Sequence, residues 1–174
     1  MRDDDALQNN PLVSRSALEA IHSQVFGWAL SRCNYDHATA EDLVQQAYVE
    51  LLTGKALFDD KSSLQTFVFG VVQNLARSRF RRISSRLRLL QTFGNAEEPT
   101  AGTHEHDEQA GNVWRVVGEL PDRQRDIVEL MFCRDLTIEE AAAVMGVTVG
   151  TGRQHYARAK KALAAKLDME DLHD

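Results

Sequence analysis

The chain has 174 residues, 43% hydrophobic and 26% charged, the composition of an ordinary globular protein of one large or two small domains, which excludes wholesale disorder. No apolar run approaches the roughly 18 residues that cross a bilayer, and the start, MRDDDALQNN, has neither the basic nor the hydrophobic part of an export signal. A cytoplasmic protein without membrane insertion is therefore expected, and its net charge of −6 would argue against nucleic acid if the charge were spread evenly.

Helical periodicity dominates and nothing strongly proposes a strand, so the chain is expected to be all-α. Leu18, Ile21, Val25 and Trp28 recur at spacings of three and four, predicting a first helix from about Ser16 to Cys33, ended by Asn34, Tyr35 and Asp36. Thr39 with Asp42 resembles a capping box, and Leu43, Ala47 and Leu51 then carry a second helix to about Thr53, where Gly54 stops it. Beyond the loop Lys55 to Lys61, Ser62 and Gln65 make a second such pair. Leu64, Val68, Val71 and Leu75 line a long helix that runs on into Arg77, Arg79, Arg81, Arg82, Arg86 and Arg88, with no acid from Val71 to Leu90. Phe67, Phe69 and Phe80 on it are expected in the core.

Residues 95–112 reverse the charge: Glu97, Glu98, Glu105, Asp107 and Glu108 occur with no Lys or Arg, beside Pro99, Gly102 and Gly111, the makeup of a solvated linker. His104 and His106 within it read as incidental rather than metal-sensing. Val113, Trp114 and Val117 then begin a short helix closed by Gly118 and Pro121, and Pro121-Asp122 opens another with Ile127, Val128, Leu130 and Met131. Thr137 and Glu140 cap a helix that Gly146 breaks, and a last helix spans about Val149 to Leu167. Helix, glycine turn, helix at this spacing is the layout of a helix-turn-helix. Three units follow: a helical domain 1–94, an acidic linker 95–112 and a helix-turn-helix domain 113–174.

On the last helix, steps of 100° put Val149, Gly152, Tyr156, Ala159 and Leu163 on one face and Gln154, Ala157, Arg158 and Lys161 on another. Arg153 and Gln154 sit where a recognition helix reaches base edges; Arg158, Lys160 and Lys161 suit phosphates. On the long helix, Gly70, Asn74, Arg77 and Arg81 form a stripe roughly 120° from the apolar face. Asn74 is both donor and acceptor, which a base edge requires and a phosphate does not. Cys33 and Cys133 have no metal-ligand spacing and are expected to be small buried side chains in a reducing compartment; no metal or cofactor is expected.

Several stretches together resemble a family. TAEDLVQQ from Thr39, LQTFVFGVVQNLA from Leu64 followed by Arg79-Phe-Arg-Arg, ELPDRQR from Glu119, and LTIEEAA from Leu136 with Val149-Gly-Thr are similar to bacterial extracytoplasmic-function sigma factors of RNA polymerase. The resemblance covers about Ser16 to Leu167 and implies two helical domains that bridge polymerase and promoter. The first would open the minus-ten element, and the second would read the minus-thirty-five element as duplex. It places Glu41, Asp42, Gln45 and Gln46 against the clamp helices of the largest polymerase subunit, with Gln46 where the family usually carries an acid. The second domain would meet the flap region of the second-largest subunit.

The resemblance also makes Lys55 to Ser63 a specificity loop for a flipped non-template base, with Asn74 beneath it and Arg77, Arg79, Arg81 and Arg82 on the backbone. The linker would thread toward the RNA exit path. Arg153, Gln154, Arg158, Lys160 and Lys161 fall to the minus-thirty-five element, and an anti-sigma factor is a partner left open. Gly152 stands where the family commonly has a β-branched residue; a glycine there costs about 1 kcal/mol relative to alanine and predicts a loosely seated recognition helix lacking a core side chain. Such a protein would not be an enzyme, and no GxxxxGK[ST], HExxH or GxSxG is present. The alternatives are a helix-turn-helix regulator of duplex operator DNA, which would not need the arginine helix with Asn74, and a helical adaptor for an acidic protein.

Overall fold

A computed structural model describes residues 13–92 and 111–171, and every regular element among them is a helix. The start of the chain and nearly all of the 95–112 segment, with its acids and His104 and His106, lie outside the described residues. Contacts divide the chain into two units, Met1–Gly102 and Thr103–Asp174.

The first unit is a three-helix bundle of α1 (Arg15–Arg32), α2 (His37–Leu52) and α3 (Leu64–Thr92), each packed on the other two. Ser14 Oγ accepts the Ala17 N–H at 3.1 Å and opens α1. Asn34 and Tyr35, both left-handed with φ of 49° and 59°, reverse the chain after it. Asp36, not Thr39, then caps α2: its carboxylate accepts the Thr39 N–H at 2.7 Å, so the predicted Thr39–Asp42 box is corrected and the cap lies three residues earlier. The second predicted box is corrected likewise, because Ser63 rather than Ser62 accepts the Thr66 N–H, at 3.1 Å. Both segments hold several oxygen-bearing side chains within one turn, and the cap in each is the residue whose oxygen reaches a free N–H group.

Leu18, Val25, Trp28 and Ala29 from α1 meet Ala40, Leu43, Val44, Ala47 and Leu51 from α2. From α3 come Val68, Phe69, Val71 and Val72, with Thr66 and Gln73 also buried, a wider face than four apolar residues predict because α3 lies against both other helices. Trp28 is fully buried; its indole donates to the Phe69 carbonyl at 3.2 Å, and the Arg32 guanidinium stacks 4.1 Å from its ring centre. Of the three phenylalanines expected in the core of α3, Phe80 is 69% exposed and is corrected from core to surface. It lies past Gln73, the last buried residue among those described in α3.

The second unit comprises α4 (Gly111–Gly118), α5 (Asp122–Phe132), α6 (Ile138–Met145) and α7 (Val149–Asp171), with α7 packed on the other three. The Thr137–Glu140 capping box forms in full: Thr137 Oγ1 accepts the Glu140 N–H at 3.2 Å and the Glu140 carboxylate accepts the Thr137 N–H at 2.8 Å. Gly146, at φ 65°, closes α6 in the left-handed region that glycine enters without strain. Thr148 Oγ1 then accepts the Thr151 N–H at 3.1 Å and opens α7, a cap the sequence reading missed. Two arginines of the DRQR stretch fasten the turns, Arg123 donating to the Met145 carbonyl and Arg125 to the Gly118 carbonyl, each at 3.2 Å.

Gly152 is buried, and a Cβ built on it would lie 3.0 Å from the Ala142 Cβ. This corrects the expectation of an unfilled core position: helices α6 and α7 approach so closely here that a side chain on residue 152 would press on Ala142. Cys133 is exposed and Cys33 half-buried, both as free thiols, which corrects the reading of two buried cysteines; partial burial pushes the Cys33 thiol up from its ordinary pKa.

Candidate nucleic-acid and polymerase interfaces

Helix α2 shows solvent one polar face. Glu41, Asp42, Gln45 and Gln46 are all exposed, opposite the buried Leu43, Val44 and Ala47. Sequence reasoning missed what flanks them: His22 Nδ1 lies 3.3 Å from the Tyr48 hydroxyl, and His22, Phe26 and His37 form a chain of ring contacts along the α1–α2 edge. His22 and Phe26, one turn apart, were the available signal.

On α3, Asn74, Arg79, Arg81 and Arg82 are exposed, and Arg77 is half-buried. Arg81, Arg82 and Arg86, with Ser78 and Ser85, line a shallow groove along the uncovered part of the helix. None of these three arginines forms an ion pair with the described residues, so their charge is available to an external anion. Arg79 faces the α1–α2 turn, where its charge acts on Asp36 and Cys33.

The loop between α2 and α3 is anchored at its middle. Phe58 is buried and packs on Phe67, ring centres 5.3 Å apart, while the neighbouring Leu57 stands 75% exposed. Lys55 pairs with Glu50 at 2.9 Å, Lys61 pairs with Asp59, and Asp60 takes a left-handed φ of 60°. The Lys61 hydrogen bond holds the Asp59 carboxyl below its usual pKa.

In the second unit Arg153, Gln154, Arg158, Lys160 and Lys161 are all exposed on α7. They are not equivalent. Lys160 lies 4.9 Å over the Tyr156 ring, and Arg153 Nη2 meets Glu139 Oε1 of α6 at 3.0 Å. Arg158 and Lys161 form no ion pair with the described residues. His155, next to Gln154, is held below its ordinary pKa by partial burial and then by the charges of Arg123 and Arg158, which favours the neutral ring.

A family model described as Sigma-70 region 2 matches residues 17–86, and one described as Sigma-70, region 4 matches residues 110–163. The chain belongs to the sigma-70 family. Its similar proteins include the ECF RNA polymerase sigma factor SigC of Mycobacterium tuberculosis (strain CDC 1551 / Oshkosh), 29% identical over 140 residues that cover 79% of this chain and 75% of that protein. ECF RNA polymerase sigma factor EcfG of Rhodopseudomonas palustris (strain TIE-1) is 26% identical over 175 residues, covering 98% and 90%.

Among solved structures the fold is shared with the sigma factor RpoE from Bartonella quintana, crystallised with the anti-sigma factor NepR, at a TM-score of 0.68 and 21% identity over 88% of this chain and 96% of that one. It is shared also with CnrH, solved with the cytosolic domain of CnrY, at 0.59 and 23% over 95% and 94%. The protein is an extracytoplasmic-function sigma factor, an alternative sigma factor that binds core RNA polymerase and promoter DNA and directs transcription initiation. The operator-binding regulator is thereby set aside. Sigma factors as a family are not enzymes, and among the described residues no helix is long and apolar enough to cross a membrane.

Proposed function

We propose that this sigma factor divides promoter recognition between its two units. Residues 1–94 dock on polymerase and open the minus-ten element, 95–112 link the halves, and 113–174 read the minus-thirty-five element as duplex. Glu41, Asp42, Gln45 and Gln46 engage the clamp helices of the largest subunit, while the second unit meets the flap region of the second-largest. Asn74 contacts the edge of a flipped base beneath the Lys55 to Ser63 loop, and Arg77, Arg79, Arg81 and Arg82 hold the strand. Flipping costs a few kcal/mol of unstacking and exposes hydrogen-bonding edges that pairing hides. Arg153 and Gln154 reach bases, and Arg158, Lys160 and Lys161 phosphates. The protein works in the cytoplasm without catalysis of its own. A further partner is an anti-sigma factor, supported by the fold it shares with a sigma factor solved beside such a protein.

The observation that carries this reading is the uncovered groove of Arg81, Arg82 and Arg86 on the same helix as the exposed Asn74. Unneutralised arginines suit a phosphate backbone but carry no sequence information, and an exposed amide supplies the base edge contact they lack. Permanganate footprinting with purified core polymerase on promoter templates tests it. A melted bubble that appears only when the protein is added supports the assignment, whereas duplex binding without melting defeats it.

A further inference from the structure

The Arg153–Glu139 pair joins the two helices of the helix-turn-helix on their exposed side. Arg153 lies in the second turn of α7, Glu139 in the first turn of α6, and their 3.0 Å contact leaves the two side chains 64% and 55% exposed. An ion pair this open adds little to folding stability. A carboxylate beside a DNA-binding arginine also cancels attraction to phosphates. Both effects are small or adverse for simple binding, and neither Arg158 nor Lys161 is given such a partner.

We infer that Glu139 is a positioning residue for base reading: its carboxylate holds Arg153 Nη2, so the guanidinium is presented to a base edge and kept off the phosphates. Guanidinium has five N–H donors in a planar fork. With one occupied by Glu139, the remaining donors can still make the paired contact to O6 and N7 of guanine that is the commonest specific arginine contact. The long arginine side chain is ordered before DNA arrives, so less freedom is lost on binding. Specificity gains from a repulsive element as much as from an attractive one. The carboxylate supplies repulsion against every phosphate the arginine would otherwise find.

This rests on the proposal that Arg153 reads a base, and the test separates the two. Holoenzyme made with full-length Glu139→Gln, Arg153→Ala or the double variant is presented with a randomised duplex pool in the upstream element, and binding is measured across salt. Glu139→Gln should reduce preference at one base pair several-fold, tighten binding to unrelated sequences, and steepen the salt dependence by about one phosphate contact. Arg153→Ala should flatten the same base pair, and the double variant should match Arg153→Ala alone. If Glu139→Gln weakens all sequences in parallel with a lowered melting temperature, Glu139 is structural and the inference is overturned while the reading of Arg153 stands. If Arg153→Ala leaves the preference unchanged, the reading of Arg153 falls and the inference with it.

Discussion

Gly152 illustrates how a single residue acquires opposite meanings from propensity and from packing. Helix propensity alone charges it about 1 kcal/mol relative to alanine, yet its absent Cβ is what lets α6 and α7 close on Ala142. Gly152→Val should destabilise the full chain by about 1 to 3 kcal/mol through overpacking, measured by chemical denaturation; equal or higher stability would refute the close-packing account. Asn74 poses the complementary case of a polar side chain with no structural burden. Its exposed amide predicts that Asn74→Ala leaves the melting temperature and the salt dependence of binding nearly unchanged. Selectivity at one minus-ten position should fall, read from open-complex formation on base-substituted promoters.

At the level of elements, the helix starts carry their own predictions. The Asp36 carboxyl is held below its usual pKa by its hydrogen bonds with Thr39, side chain first and backbone second. A carboxyl depressed in the folded state contributes stability that is fully present above its unfolded pKa and is lost as pH falls through the folded value. Asp36→Ala should therefore melt below the wild type at neutral pH, and the gap should close as the solution is acidified past the aspartate range. A gap independent of pH would assign the effect to something other than the cap. Helix α2 also predicts that Glu41→Lys with Asp42→Lys abolishes core polymerase binding in a pull-down while the circular dichroism spectrum is kept, because both side chains are exposed and away from the core.

The helices themselves were legible in the sequence, since apolar residues at spacings of three and four declare a buried face without reference to any partner. Leu18, Val25 and Trp28, or Leu43, Ala47 and Leu51, are buried as their spacing requires. Caps were less legible, because Asp36 and Ser63 win over Thr39 and Ser62 through local backbone geometry that periodicity does not encode. The surface was readable as charge but not as pairing. Arg153 and Glu139 stand 14 positions apart, and only the turn at Gly146 brings them together. Phe80 was misread because the helix continues past Gln73, the last buried residue among those described in it.

Across the whole molecule, two basic surfaces on separate units share an acidic chain, and the total of −6 hides them both. Salt is the probe that sees them. Arg81→Gln with Arg82→Gln should lower the slope of log affinity against log salt by about 0.7 per arginine for single-strand contacts, measured on a bubble template with holoenzyme; an unchanged slope would remove them from the DNA surface. The run of α3 past its companions has one further consequence. Among the described residues of this 29-residue helix buried side chains end at Gln73, and from Asn74 to Arg88 the side chains are half-buried or exposed. Amides around Val68 and Val72 should exchange with solvent only when the bundle opens, while those from Phe80 to Arg88 should exchange through local fraying at a far lower free energy. The groove arginines therefore ride on a stretch less protected than the bundle core. Bound DNA would slow exchange there first, so that ordering a frayed helix end becomes part of the work of opening a promoter.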